Sequence, residues 1–181
     1  MLWLIAFVLG VAAGLLTGGR IDNFARLRFR WPVAVIAAVF IREAVLVTPL
    51  NRVDGAQWAY AGALAAIVVW TAWHLDRLPG IWLVTLGAAL NLAVILANGA
   101  RMPVARAMAG ELIQRNQIGQ YTLMGPGTQL GFLADWISLR WLPGAYSPGD
   151  LVTAAGLFLI GLLVARRRPD SNRDSKPWPA L

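Results

Sequence analysis

The chain has no cysteine, one histidine (His74) and one lysine (Lys176) among its 181 residues. Without cysteine there is no disulfide, no thiolate nucleophile and no cysteine metal site. A single histidine argues against a histidine-based metal cluster and against a Ser-His-Asp triad, so neither metal nor cofactor is expected. Charge is also scarce. Charged residues make up 14% and hydrophobic residues 58%, against about 25% charged in ordinary soluble domains. Fifteen of the sixteen cations are arginine, the net charge is +7 and the pI is near 11.2. A nucleic-acid surface would gather these cations on one strip. Here they fall in short tracts between apolar runs, as topogenic charges do, so no nucleic-acid partner is expected.

The apolar runs are long enough to make a lipid bilayer the expected solvent and partner. Residues 2–19 hold no charge, and at about 1.5 Å per residue they reach roughly 27 Å, near a hydrocarbon core of about 30 Å. Basic residues follow this run rather than precede it, which reads as an uncleaved helix and not a secretory signal. Further spans are expected at 31–50, 56–73, 78–97 and 148–165. The last begins at Ser147, Pro148 and Asp150, an S-x-x-D cap with proline at the first helical position. The expected fold is therefore all-α: a polytopic helical membrane protein with five transmembrane helices. Residues 98–147 form its long extracytoplasmic loop, and 166–181 a basic, polar and disordered cytoplasmic tail. Ten cations fall on one side of the five spans and five on the other. The positive-inside rule then places the N-terminus outside and the C-terminus in the cytoplasm of a bacterial inner membrane.

The 98–147 loop holds Tyr121, Phe132, Trp136, Trp141 and Tyr146 among few charges, which argues against disorder. Val104, Met108 and Leu112 recur at steps of four and predict an interfacial helix over 102–115. Gly125, Pro126 and Gly127 predict a turn, with Thr128 capping a short helix through Ile137 that Pro143 and Gly144 end. Together these read as a lid of interfacial or re-entrant helices over the outer mouth of the bundle.

Arg42 and Glu43 are the sharpest anomaly, because a charge inside a span costs about 2.5–3.5 kcal/mol on insertion scales and usually faces protein or water. They either form an ion, proton or headgroup site, or Arg42 snorkels while Glu43 is held by a partner such as Arg101. As sequence neighbours they point about 100° apart and need not pair. Asn91 and Asn98 share a helix face with Gly87 and read as interhelical glue or as ligand contacts. Asp135 lies among apolar neighbours that would weaken its acidity; with Glu43 it is the weak catalytic candidate, or it pairs with an arginine or caps backbone. Arg42, Glu43, Asn91, Asn98, Arg101, Thr128 and Asp135 are the ligand-binding candidates. Ala6, Gly10, Gly14 and Gly18 form a doubled G-x-x-x-G face for helix packing. Ser147, Pro148 and Asp150 form a helix cap. His74, beside Asp76 and Arg77, reads as solvated.

The strings Gly18-Gly19-Arg20, Asn98-Gly99-Ala100-Arg101-Met102-Pro103-Val104, Tyr121-Thr122-Leu123-Met124, Gly125-Pro126-Gly127-Thr128, Leu133-Ala134-Asp135 and Ser147-Pro148-Gly149-Asp150 resemble a family of bacterial membrane proteins catalogued as domain of unknown function 5317. The resemblance runs from the first helix to about Ala165. Ala100 departs from it, standing where the second glycine of an Asn-Gly-Gly string is expected. The resemblance implies an integral bacterial membrane protein with motifs on its outer loop and no known activity. Asn98, Arg101, Pro103, Thr128, Asp135 and Asp150 are motif matches without an implied role.

Three readings of function follow. The first is a non-enzymatic protein whose capped outer pocket binds a small ligand or lipid, serves transport, or assembles with a membrane-protein partner or a second copy. The second is an enzyme acting on a lipid-linked substrate at the outer face, with Asp135 or Glu43 as acid or base and Arg101 on an anionic headgroup. The third is a purely structural scaffold.

Overall fold

The computed structural model describes residues 1–167. The tail expected at 166–181 lies, from residue 168 on, outside the described residues. Helices α1 (Leu2–Leu16), α2 (Asp22–Ala25), α3 (Pro32–Val47), α4 (Ala56–Trp73) and α5 (Ile81–Ala97) come first, and α7 (Pro148–Ala165) comes last. Between α5 and α7 stand strands β1 (Met102–Val104), β2 (Tyr121–Leu123), β3 (Ile137–Leu139) and β4 (Leu142–Tyr146), with a single turn of helix, α6 (Glu111–Gln114).

The five long helices pack as a row in the order α1, α7, α5, α4, α3. Glycines allow the close approaches around α7. A Cβ on Gly10 would strike the carbonyl of Phe158, and one on Gly161 would lie 2.7 Å from the Phe7 carbonyl oxygen. On the other side of α7, a Cβ on Gly156 would lie 2.7 Å from the Val84 amide. The ends of the row meet where the Arg42 guanidinium of α3 lies over the Trp3 ring of α1, 4.9 Å from its centroid. One core cluster, around Tyr60, Leu64, Val94, Ile95 and Met102, lies beneath the strands. A second, around Leu78, Ile81, Ile160 and Val164, fills the opposite end. Large apolar side chains remain exposed along α1 (Leu4, Val8, Leu9) and α3 (Val33, Ile36, Phe40).

Two expectations are corrected. The first is the five-span, all-α architecture. Among the described residues only α7 is both long and apolar enough to cross a membrane, while α1 and α5 are apolar but shorter. The runs are trimmed by their ends. Gly18, at φ +88°, follows the end of α1, Pro49 follows α3, and Gly80, at φ +85°, delays α5 to Ile81. Helix α4 has eighteen residues, but Gln57, Trp58, Tyr60, Trp70 and Trp73 dilute its hydropathy, and Arg42 and Glu43 do the same in α3.

The second correction concerns residues 98–147, which form a small β-containing cap and not a set of interfacial helices. In place of the helix expected over 102–115, β1 pairs in parallel with β2, Met102 opposite Tyr121 and Val104 opposite Leu123. The other edge of β1 takes Asp135, whose amide donates to the Pro103 carbonyl (2.9 Å) and whose carbonyl accepts from Ala105 N (2.8 Å). Proline has no amide hydrogen and would break a helix here. In this register Pro103 serves only as an acceptor. In place of the helix expected through Ile137, residues Gly131–Leu133 make one 3-10 turn and β3 pairs antiparallel with β4.

Candidate functional site

Three asparagines pin the cap to the bundle. At the end of α5, Asn98 bonds the backbone of Gln129 twice, donating from Nδ2 to its carbonyl (2.9 Å) and accepting from its amide at Oδ1 (3.0 Å). In the 3-10 turn after α3 (Pro49–Arg52), the Asn51 carbonyl accepts from Gly119 N at 2.7 Å. In α5, Asn91 donates from Nδ2 to Asp150 Oδ1 (2.8 Å) and accepts at Oδ1 from Ser147 Oγ (2.7 Å). The last pair also closes a capping box on α7: Ser147 Oγ accepts from Asp150 N and Asp150 Oδ2 accepts from Ser147 N. Each carboxylate oxygen of Asp150 thus accepts a structural hydrogen bond.

Beneath the cap the bundle presents a polar group. Arg42 donates from Nη1 to Glu43 Oε1 (2.7 Å) and from Nη2 to the Tyr60 hydroxyl (3.2 Å). The two neighbours therefore do pair: Arg42 reaches inward, only 14% exposed, and Glu43 bends to it from the surface at 46%. Arg101 is not the partner of Glu43. From above, Asp135 is 7% exposed, and its Oδ1 has no hydrogen-bond partner among the described residues. Burial pushes its carboxyl up to about 8; the nearby Asp150 adds to the rise and Arg42 opposes it. Burial likewise raises the Tyr121 hydroxyl. A neutral acid is the form that a dry, unpartnered oxygen tolerates.

At the seam between cap and bundle lies an open cleft of about 300 Å³. The bundle contributes Asn51, Arg52, Asp54 and Gln57 to its wall; Arg101 and the segment Asn116, Gln117 and Gly119 come from the cap side. None of Arg52, Asp54 and Arg101 belongs to an ion pair among the described residues. Two buried atoms in this wall have no hydrogen-bond partner there: Arg101 Nε, a donor, and Asn51 Oδ1, an acceptor.

The remaining sequence candidates lie elsewhere. Gly10 and Gly14 face α7, whereas Gly18, with nothing among the described residues within 4 Å of a Cβ, serves the turn after α1. Thr128 closes the Gly125 turn by accepting from Gly125 N at 2.9 Å. His74 is fully buried and not solvated. Its Nε2 accepts from Arg30 N (2.9 Å), so Nδ1 carries the hydrogen and donates to the Trp70 carbonyl (2.8 Å). Its ring stacks on Trp70 with centroids 4.0 Å apart. Sequence reasoning missed Tyr60, Tyr121, Asn51 and Arg52. A weak signal existed only for the last two, as a polar pair following the proline that ends α3.

A family model described as a family of unknown function (DUF5317) matches residues 26–162. The match omits α1, so the Gly18-Gly19-Arg20 string falls outside it. No curated protein and no solved structure matches the chain.

Proposed function

The chain belongs to the DUF5317 family, and we propose that it is a non-enzymatic binding protein of the bacterial cell membrane, holding a small polar ligand or lipid headgroup at its cap in support of transport or a larger membrane complex. The observation that carries this reading is the cleft at the cap seam, in whose wall two arginines and an aspartate have no ion pair, and one buried donor and one buried acceptor have no hydrogen-bond partner, among the described residues. Buried polar atoms are normally satisfied, so an unsatisfied set around an open cleft points to a ligand that completes it. The exposed apolar faces of α1 and α3 support lipid as their surroundings. Helix α7 leaves the cap and ends at Ala165, followed by Arg166 and Arg167, cations that under the positive-inside rule support an outward-facing cap. Binding is favoured over catalysis because Asp135, whose carboxyl burial pushes up toward the range of a general acid, is buried within the cap and does not line the cleft.

The test is native mass spectrometry of the full chain extracted from its own membrane in mild detergent. A co-purifying small molecule or selected lipid supports the binding reading. A stoichiometric protein partner without a ligand shifts it to an accessory subunit. A bare monomer refutes both.

A further inference from the structure

We infer that the cleft takes a zwitterionic phosphoester, a phosphate carrying a primary ammonium group as in a phosphoethanolamine headgroup; this rests on the binding reading above and names its ligand class. The cleft holds two guanidinium groups, Arg52 and Arg101, and one carboxylate, Asp54, and none of the three forms an ion pair among the described residues. Two guanidinium groups lining one space suit an anion with three or more oxygens, because each fork takes two and a carboxylate has only two in all. Arg101 supplies the most constrained of these donors, since its Nε is buried without a partner among the described residues.

A phosphate alone would leave the acceptors of the same wall idle. Asn51 holds its orientation by donating from Nδ2 to the Leu46 carbonyl (3.3 Å), while its Oδ1 is buried with no donor to it among the described residues. Asp54 adds a negative charge to the same space. A primary ammonium satisfies both, donating to Oδ1 and balancing the carboxylate. A quaternary ammonium has no N–H and would leave Oδ1 dry and unpaired, so the wall selects against it. The volume of about 300 Å³ stands at the small end of ligand pockets. It suits a headgroup and leaves any acyl chains to the apolar faces outside.

The experiment measures binding to the full chain in detergent by calorimetry, with glycerophosphoethanolamine, glycerophosphocholine and inorganic phosphate as probes. In parallel, the lipid retained from nanodiscs containing equal phosphatidylethanolamine and phosphatidylcholine is read by native mass spectrometry. The expected result is at least tenfold preference for the primary ammonium over the quaternary one, and over phosphate alone. Arg101→Gln and Arg52→Gln should each weaken binding tenfold or more. Arg52 is exposed, so its substitution keeps the test valid if Arg101→Gln fails to fold. Retention of the lipid without binding of the soluble probe assigns the headgroup to a lipid; the reverse assigns it to a soluble ester. Equal binding of the two ammonium types, or undiminished binding by Arg52→Gln, overturns the inference. A different small molecule retained by wild type and by Arg52→Gln alike would leave the general binding reading standing and remove this one.

Discussion

Replacing Asp135 by asparagine tests the most unusual electrostatic feature of the cap. The folded carboxyl titrates near 8, against 3.8 for an unperturbed one. Between those values the native state holds a proton that the unfolded chain has released, so stability falls as pH rises through that window, by up to about 1.4 kcal/mol per pH unit. Below 4 both states are protonated and above 8 both are ionised, so the slope from this group vanishes at each end. From pH 5 to pH 8 the loss amounts to roughly 4 kcal/mol at most. At about 2–4 °C per kcal/mol for a chain of this length, the melting temperature should drop by on the order of 10 °C. Asparagine keeps the shape and neutrality of the protonated acid, so Asp135→Asn should flatten this part of the profile and be the more stable protein at pH 8. Intrinsic fluorescence of the nine tryptophans reports unfolding at each pH, and the difference between wild type and variant cancels the other titrating groups. A wild-type profile that is flat or rises from pH 5 to 8, or an asparagine variant with the same slope, would refute the argument.

Gly161→Ala should lower the melting temperature relative to Gly62→Ala, because its nearest neighbours are backbone atoms of Phe7 and Val11 at 2.7 and 2.8 Å that cannot rotate away. Over-packing costs about 1–3 kcal/mol, whereas open space at Gly62 leaves only a propensity gain of about 1 kcal/mol; equal thermal shifts for the two variants would contradict the packing. Asn91→Ala strands the Ser147 hydroxyl and one oxygen of Asp150, a loss of about 1–3 kcal/mol that should appear in the same melting assay with helix content unchanged at low temperature. His74→Phe keeps the stack on Trp70 but leaves Arg30 N and the Trp70 carbonyl without their ring partner, so about 2 kcal/mol of destabilisation is expected; a neutral result would mean that water replaces the imidazole there. At Ala100, fully buried at φ +63°, Ala100→Gly should change stability by less than about 1 kcal/mol, since relief of left-handed strain offsets the lost methyl. Ala100→Val should be clearly destabilising in denaturant titration, as a β-branched side chain is a genuine outlier at positive φ.

Legibility varied with the range of the interaction that decides each feature. The capping box at Ser147 and Asp150 needs only four consecutive residues, and the sequence pattern and the geometry name the same atoms. The apolar runs likewise locate the five long helices, but overstate them. Helix length turns on backbone conformation at Gly18, Pro49 and Gly80, and a hydropathy run does not register it. The helix expected over 102–115 failed for a different reason. Val104, Met108 and Leu112 match a helical period, but Met102, Pro103 and Val104 form a buried strand, β1, whose two edges are taken by β2 and by Asp135. Those partners lie 19 and 31 residues further along the chain, beyond what a local period reports.

For the candidate site the division is the same. Arg42, Arg101 and Asp135 are conspicuous in sequence, being charges among apolar neighbours whose burial must be compensated. Their partners are not, because Tyr60 and Trp3 reach Arg42 from two other helices, and Asn51 and Arg52 join Arg101 only when the cap settles on the bundle. The sequence by itself determined which groups are costly to bury, which segments are apolar and where α7 begins, since these depend on the transfer free energies of single residues and on contacts within one turn. Only the tertiary structure decided that residues 98–147 form a β-containing cap pinned by three asparagines, and that a polar cleft opens at its seam, because hydrogen bonds across tens of residues are chosen by the packing of the whole chain.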